Sequence, residues 1–381
     1  MELNKIRFYQ LHKQNLIQKA KPDEYANLLK AHIGLHSTDY LTPYLSLWAR
    51  VENFEPKLLF NDLNEPWNAL RIRAFRGTIF VVHKKNLKNI LGASKIFQSS
   101  TVNNFEKFLS KMGLNSATIE QKVVNLLSDK KDLTVHELKK LLDDQLTGEY
   151  FTFTLRYLEF KGVLVRTNHR YITDKVIRYG LMDEWFPEIA VDEIDSEEAL
   201  QTLILNYVCK FGPVCLDDLS WWLPINKTLA RKMIDKLNEQ LICFDFNDRE
   251  YFMEKDDYER LKDFELPDNQ QPIINFIPYE DHFPKAYSIR NWFLSEAVSP
   301  LVHKKGVIYR GQIFPSIWLN GEIIGGWEMN WIDKAKSAMK VEIINIYEKL
   351  NLSKQITQLI ESQRTELENF VNEKLVPLMN K

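Results

Sequence analysis

The chain has 381 residues, of which 45% are hydrophobic and 27% charged, a composition that fits a soluble globular protein of two or three domain-sized units. No apolar run is long enough to span a bilayer, and the opening MELNKIRFYQLHKQNLIQKA lacks the apolar core of a signal peptide, so the cytoplasm is the expected location. The formal net charge is −2, yet residues 1–115 carry 17 Lys and Arg against 9 Asp and Glu while the remainder carries 33 against 43; a basic first third points to a local polyanion site.

In chain order, residues 1–115 read as helices over DEYANLLKAHIGL, TPYLSLWARVENF and PKLLFNDLNEP. A hairpin follows in ALRIRAFRGTIFVVHKKNL, where Ile72 and Ala74, then Ile79 and Val81, alternate as strand residues do. Between the first two helices stands the polar run His36-Ser37-Thr38-Asp39, flanked on both sides by apolar residues. It has two readings. Thr38 or Asp39 can cap the next helix, whose first turn holds Pro43. Alternatively the run lines a catalytic pocket.

Residues 116–182 repeat the pattern. SATIEQKVVNLLSD, LTVHELKKLLDDQL and EYFTFTLRYLEFKG are helices, the second opened by a Thr134-x-x-Glu137 capping box. VLVRTNHRYIT is a strand–turn–strand around Asn168. Residues 183–270 begin with eight acidic residues between Asp183 and Glu198, read as a solvated linker and a helix start. The helices SEEALQTLILNYVCKFG, LDDLSWWL and NKTLARKMIDKLNEQL follow, and ICFDFNDREYFME is a hairpin turning at Asn247-Asp248. Three helices and a hairpin in that order make a winged helix.

From about Gln271 the pattern changes to β-branched and aromatic runs, with Asn320-Gly321 as the strongest hairpin signal. A helix over SKQITQLIESQRTELENFVNEKL closes the segment 271–381. The expected fold is therefore α+β: three tandem winged-helix motifs, then a C-terminal antiparallel β sheet or barrel with a closing helix. Cys209, Cys215 and Cys243 form no CxxC pair and the eight histidines show no HExxH spacing, so neither a metal nor an iron–sulfur cofactor is expected.

Several stretches, LHKQNLIQKA, GLHSTDYLTPYLSLWAR, RIRAFRGTIFVVH, LILNYVCKFGPVCLDDLSWWL, FIPYEDHFPKAYSIRNWF and GQIFPSIWLNGEIIGGWEMN, resemble the AlkZ-like DNA glycosylases in order over about residues 7–375. The resemblance implies tandem winged helices around a concave DNA-binding surface. It implies hydrolytic excision of N7-alkylated purines from duplex DNA, bulky and crosslinked adducts included, with no metal and no redox cofactor. In the family a Gln-X-Gln or Gln-X-Asp motif stands where this chain has His36-Ser37-Thr38. Neither catalytic side chain is matched.

The residue types still suit the chemistry. An N7-alkylated base is already a good leaving group, so the protein need only favour a cationic sugar and place a water. A neutral imidazole or a hydroxyl can accept a hydrogen bond from that water. His36 is therefore expected to hold the water, with Thr38 or Asp39 in support. The alternative function is a non-catalytic winged-helix DNA-binding protein, a damage sensor or regulator.

Arg71, Arg73, Arg76, Thr78, Lys84 and Lys85 of the first hairpin are expected to contact DNA. The plainer reading of the same stretch is a solvated edge strand. Lys227 and Arg231, on the third helix of the third unit, are further candidates. Asp281 and Arg290 are expected to support the site or to pair with each other, and Trp318, Trp327 and Trp331 to form β core. A monomer acting on damaged duplex DNA, away from any membrane, is the expected assembly.

Overall fold

The structure is a computed structural model that describes residues 2–97, 99–111, 113–142, 149–189, 193–267, 272–290, 292–294, 308–309, 311–344 and 351–379. Mixed helices and antiparallel sheets make up the chain. An N-terminal helix, Leu3–Lys13, precedes three successive sets of helices that each end in a hairpin. No helix among the described residues is long and apolar enough to cross a membrane.

In the first set, Tyr25–Ala31, Thr42–Trp48 and Pro56–Asp62 are followed by the hairpin Ala69–Ala74/Thr78–His83. The helix expected to run through Leu35 stops at Ala31. Leu35–His36 instead forms a short third strand, antiparallel to Thr78–His83, with His36 opposite Phe80. Two residues are too few for an alternating pattern to be visible in the sequence.

The second set comprises Ser116–Ser128, Val135–Leu141 and Glu149–Phe160, with the Thr134–Glu137 box in place. Its hairpin departs from expectation. Leu164–Thr167 pairs with Arg178–Leu181, not with HRYIT, and residues 168–177 form a long loop. Ile172 pins that loop by donating its backbone N–H to the carbonyl of Leu378. The third set, Ser196–Phe211, Leu216–Trp222 and Lys227–Lys236, leads into Leu241–Phe246/Arg249–Glu254. Asp195 and Asn226 cap two of these helices, and both Asn247 and Asp248 adopt positive φ in the turn. In the acidic segment, residues 190–192 lie outside the described residues.

The C-terminal sheet orders its strands Met339–Ile344, Glu322–Trp331, Ser316–Leu319, Ile274–Ile277. It is open among the described residues, so of the two expected forms the sheet is realised and the barrel is not. The helix Lys354–Phe370, capped by Ser353, lies against both edge strands. Trp318 and Trp327 are buried in the sheet core.

Two apolar cores result. The larger runs from Ile6 to Met379 and joins the first and third sets to the C-terminal sheet. The smaller, from Phe105 to Leu181, belongs to the second set. The N-terminal helix ties the ends together: Arg7 pairs with Glu322 at 2.6 Å, and Tyr9 donates to Asp257 at 2.5 Å.

Candidate active site

The short strand Leu35–His36 turns the His36 side chain inward. His36 is only 3% exposed, with its ring edge-on to Phe80 at 5.3 Å. Its Nε2 lies 3.8 Å from Oε2 of Glu280, and Nδ1 has no partner among the described residues. Burial lowers the imidazole pKa to about 4, with Glu280 opposing and Lys285 reinforcing that shift. The ring is therefore neutral at physiological pH, the form that the proposed chemistry needs.

The neighbours of His36 divide differently. Thr38 and Asp39 are exposed. One Asp39 carboxylate oxygen accepts from the backbone N–H of Leu41 at 2.9 Å and of Thr42 at 3.2 Å. Asp39 thus braces the turn that leads into Thr42–Trp48; the N-cap residue of that helix is Leu41, without a side-chain cap bond, so neither Thr38 nor Asp39 is the cap that one sequence reading expected. The carboxylate that faces the imidazole is Glu280, not Asp39.

Glu280 sits in the turn after strand Ile274–Ile277, only 4% exposed, with φ +52°. Its backbone N–H donates to Ile313 at 2.8 Å, and the N–H of Ile313 donates to Glu280 Oε1 at 2.7 Å. Lys285 Nζ pairs with Oε2 at 2.7 Å. Beside His36 lies a cavity of about 100 Å³, lined by Phe75, Arg76, Thr78, Trp221 and Lys285 among others.

Asp281 forms a structural ion pair, but its partner is Arg50 and not Arg290. Both Arg50 and Asp281 are fully buried, meeting through bonds of 2.9 and 2.7 Å, and Ser46 adds a third at 2.6 Å. Burial alone would raise the carboxyl; the Arg50 guanidinium outweighs it and holds the pKa at about 2. Arg290 instead donates to the Gly311 carbonyl at 3.0 Å, with its guanidinium 5.4 Å from the Trp221 ring. His282, beside Asp281, is driven well below the ordinary histidine range by burial, which Asp281 opposes.

The first hairpin spreads its cations over different surroundings. Arg71 is buried, stacked over Tyr40 at 4.4 Å. Arg73 pairs with Glu159 at 3.2 Å, a carboxylate shared with Arg166. Arg76 is exposed at the cavity mouth, 4.8 Å over Trp221 and donating to the Ser220 carbonyl at 3.3 Å. Thr78 is half-buried in the cavity wall, and Lys84 and Lys85 open the helix Lys84–Phe97. On the third set, Lys227 pairs with Asp217 at 2.5 Å and Arg231 with Glu250.

The site thus gathers His36, Arg76 and Thr78 but leaves Lys227 and Arg231 in ion pairs of their own. Sequence reasoning missed Glu280, Lys285 and Trp221. Both acids of YEDHFPK are visible in the sequence, but nothing local distinguishes Glu280, which faces His36, from Asp281, which pairs with Arg50.

A family model, DNA glycosylase AlkZ-like, matches residues 29–350, and the chain belongs to that family. Streptomyces sahachiroi DNA glycosylase AlkZ shares the fold with a TM-score of 0.73 at 15% sequence identity, over 100% of this chain and 98% of that one. No curated protein sequence matches this chain.

Proposed function

We propose that this protein is a monofunctional DNA glycosylase that hydrolyses the N-glycosidic bond of N7-alkylated purines, bulky or crosslinked ones included. Its three helix–hairpin sets are read as tandem winged helices, with units at 1–115, 116–182 and 183–270, and the C-terminal sheet at 271–381 as their scaffold. The monomer binds damaged duplex DNA through Arg76, Thr78, Lys84 and Lys85, with Arg71 and Arg73 holding the hairpin beneath. The observation that carries the reading is the buried His36, which faces a carboxylate and lines a cavity edged by Arg76; the resemblance implies that the family's first glutamine stands at this place.

The chemistry follows from the lesion. The cationic base departs with the bonding electrons and needs no proton. The protein supplies an acceptor for the attacking water and negative charge near the sugar. Lys285 is held by the Glu280 carboxylate and the Gly311 carbonyl, so it is not assigned as a nucleophile. The expected product is an abasic site without strand scission.

Base release from duplex oligonucleotides with one N7-methylguanine or one bulky N7 adduct, read by alkali cleavage, tests this. The wild-type chain is expected to release base, and His36→Ala to lose most of the rate. Borohydride is expected to trap no covalent adduct; an adduct lost in Lys285→Gln would make the lysine a nucleophile. Tight, salt-sensitive DNA binding with no release from either lesion would make the protein a non-catalytic binder.

A further inference from the structure

Glu280 combines three features that a surface acid lacks. Its carboxylate is buried, and burying a charge is costly unless the charge is paired and hydrogen-bonded, as it is here by Lys285 and the Ile313 N–H. Its backbone sits at φ +52°, a region that side-chain-bearing residues seldom occupy. Its two oxygens have separate tasks. Oε1 accepts from the Ile313 N–H, which fixes the carboxylate plane, while Oε2 meets Lys285 at 2.7 Å and approaches His36 Nε2 at 3.8 Å. A separation of 3.8 Å is too long for a direct hydrogen bond. It suits a water that touches both groups. Asp39, three residues after His36 in sequence, already accepts two backbone N–H groups in the turn before Thr42–Trp48.

We propose that Glu280 is the general base of this site, sharing the attacking water with His36. This rests on the glycosylase reading. His36 orients the water as a donor, Nε2–H to the water oxygen, in place of the acceptor role expected from the sequence, and the water donates to Glu280 Oε2. As the C1′–N9 bond breaks, its electron pair stays with the N7-alkylated purine, which leaves neutral. The water oxygen bonds to C1′, and its proton passes to Glu280 and then to solvent. The negative charge of the carboxylate also favours the positive charge that develops on the sugar. Lys285 positions Glu280 and takes no proton.

The test uses single-turnover base release by the full chain, with DNA affinity measured in parallel. Glu280→Gln keeps the shape and both backbone bonds, and its release rate is expected to fall about 100-fold, the usual contribution of a general base. Its DNA affinity is expected to stay at the wild-type level or rise. Glu280→Gly suits the positive φ, and added formate is expected to restore release in it, because a small carboxylate can occupy the vacated place. An E280Q rate close to wild type would overturn the proposal. So would an equal loss of DNA affinity, or an E280G variant that formate does not rescue, since both mark a purely structural acid. A wild-type chain that releases no base would instead sink the glycosylase reading itself.

Discussion

His36 and Asp281 make the fold acid-sensitive in two separate windows. The imidazole is lowered from 6.5 to about 4 by burial, so the folded state binds its proton less readily than the unfolded chain. Stability from the neutral ring is fully present above pH 6.5 and is lost as pH falls through about 4. The Asp281 carboxyl is held at about 2 against an ordinary 3.8, so its share is lost only below about pH 4. At about 1.4 kcal/mol per pKa unit, the His36 share amounts to about 3 kcal/mol. Urea unfolding at pH 7 and pH 4 is expected to show His36→Asn losing about that much less stability than wild type over the interval. Equal losses in the two proteins would mean that the imidazole is not buried as described. How far such residues were legible differs by kind. His36 could be found because a polar run between apolar flanks is a local feature. Glu280 could not, because its importance rests on one positive φ and on a contact with a strand far away in the chain. For Arg71 and Arg73, alternation correctly put both on one face, but nothing local said that this face turns toward Tyr40 and Glu159.

Helices Lys84–Phe97 and Ser196–Phe211 cross closely where Gly92 faces the start of the second helix. A Cβ on Gly92 would lie 2.6 Å from the Ala199 Cβ and would also overlap Ile194. Alanine gains about 1 kcal/mol over glycine in helix propensity, whereas overpacking costs about 1–3 kcal/mol. Ala199 Cβ cannot rotate away, so the clash wins. Gly92→Ala is expected to lower the denaturation midpoint, and Gly92→Ala with Ala199→Gly to be more stable than the two single losses add up to. Strict additivity would show that the helices have room. At this scale the sequence was readable where turn chemistry and periodicity were both strong. The hairpins at Asn247-Asp248 and Asn320-Gly321 formed where those residues supply positive φ. The helix Lys84–Phe97 carries its own helical spacing at Leu87, Ile90 and Leu91, although it was not among the helices expected from the sequence. The return strand Arg178–Leu181 was unreadable for a different reason. Its loop is anchored through Ile172 to Leu378, a partner near the far end of the chain.

Across the whole molecule, the basic first third does not present its charge evenly. Arg73 is engaged by Glu159, and beyond the first third Lys227 and Arg231 are engaged by Asp217 and Glu250. A phosphate approaching any of these must displace a carboxylate, so the net gain in counterion release is small. Arg76 is placed otherwise, exposed over Trp221 with a backbone carbonyl as acceptor. Lys84 and Lys85 occupy the first turn of a helix, where the dipole disfavours cations and favours anions. The N–H groups of Lys84 and Lys85 are taken by the Asn68 carbonyl and His83 Nδ1, so a DNA phosphate there would be attracted by the lysine side chains and the helix dipole. Duplex binding measured against salt is therefore expected to give a linear log–log plot, with Arg76→Gln reducing the slope by about 1 and Lys85→Gln by a similar amount. Lys227→Gln is expected to leave the slope nearly unchanged, because Asp217 already neutralises that charge. If Lys227→Gln instead reduced the slope as much as Arg76→Gln, the third set of helices would be part of the DNA-facing surface. The binding face would then extend well beyond the first hairpin and the His36 cavity.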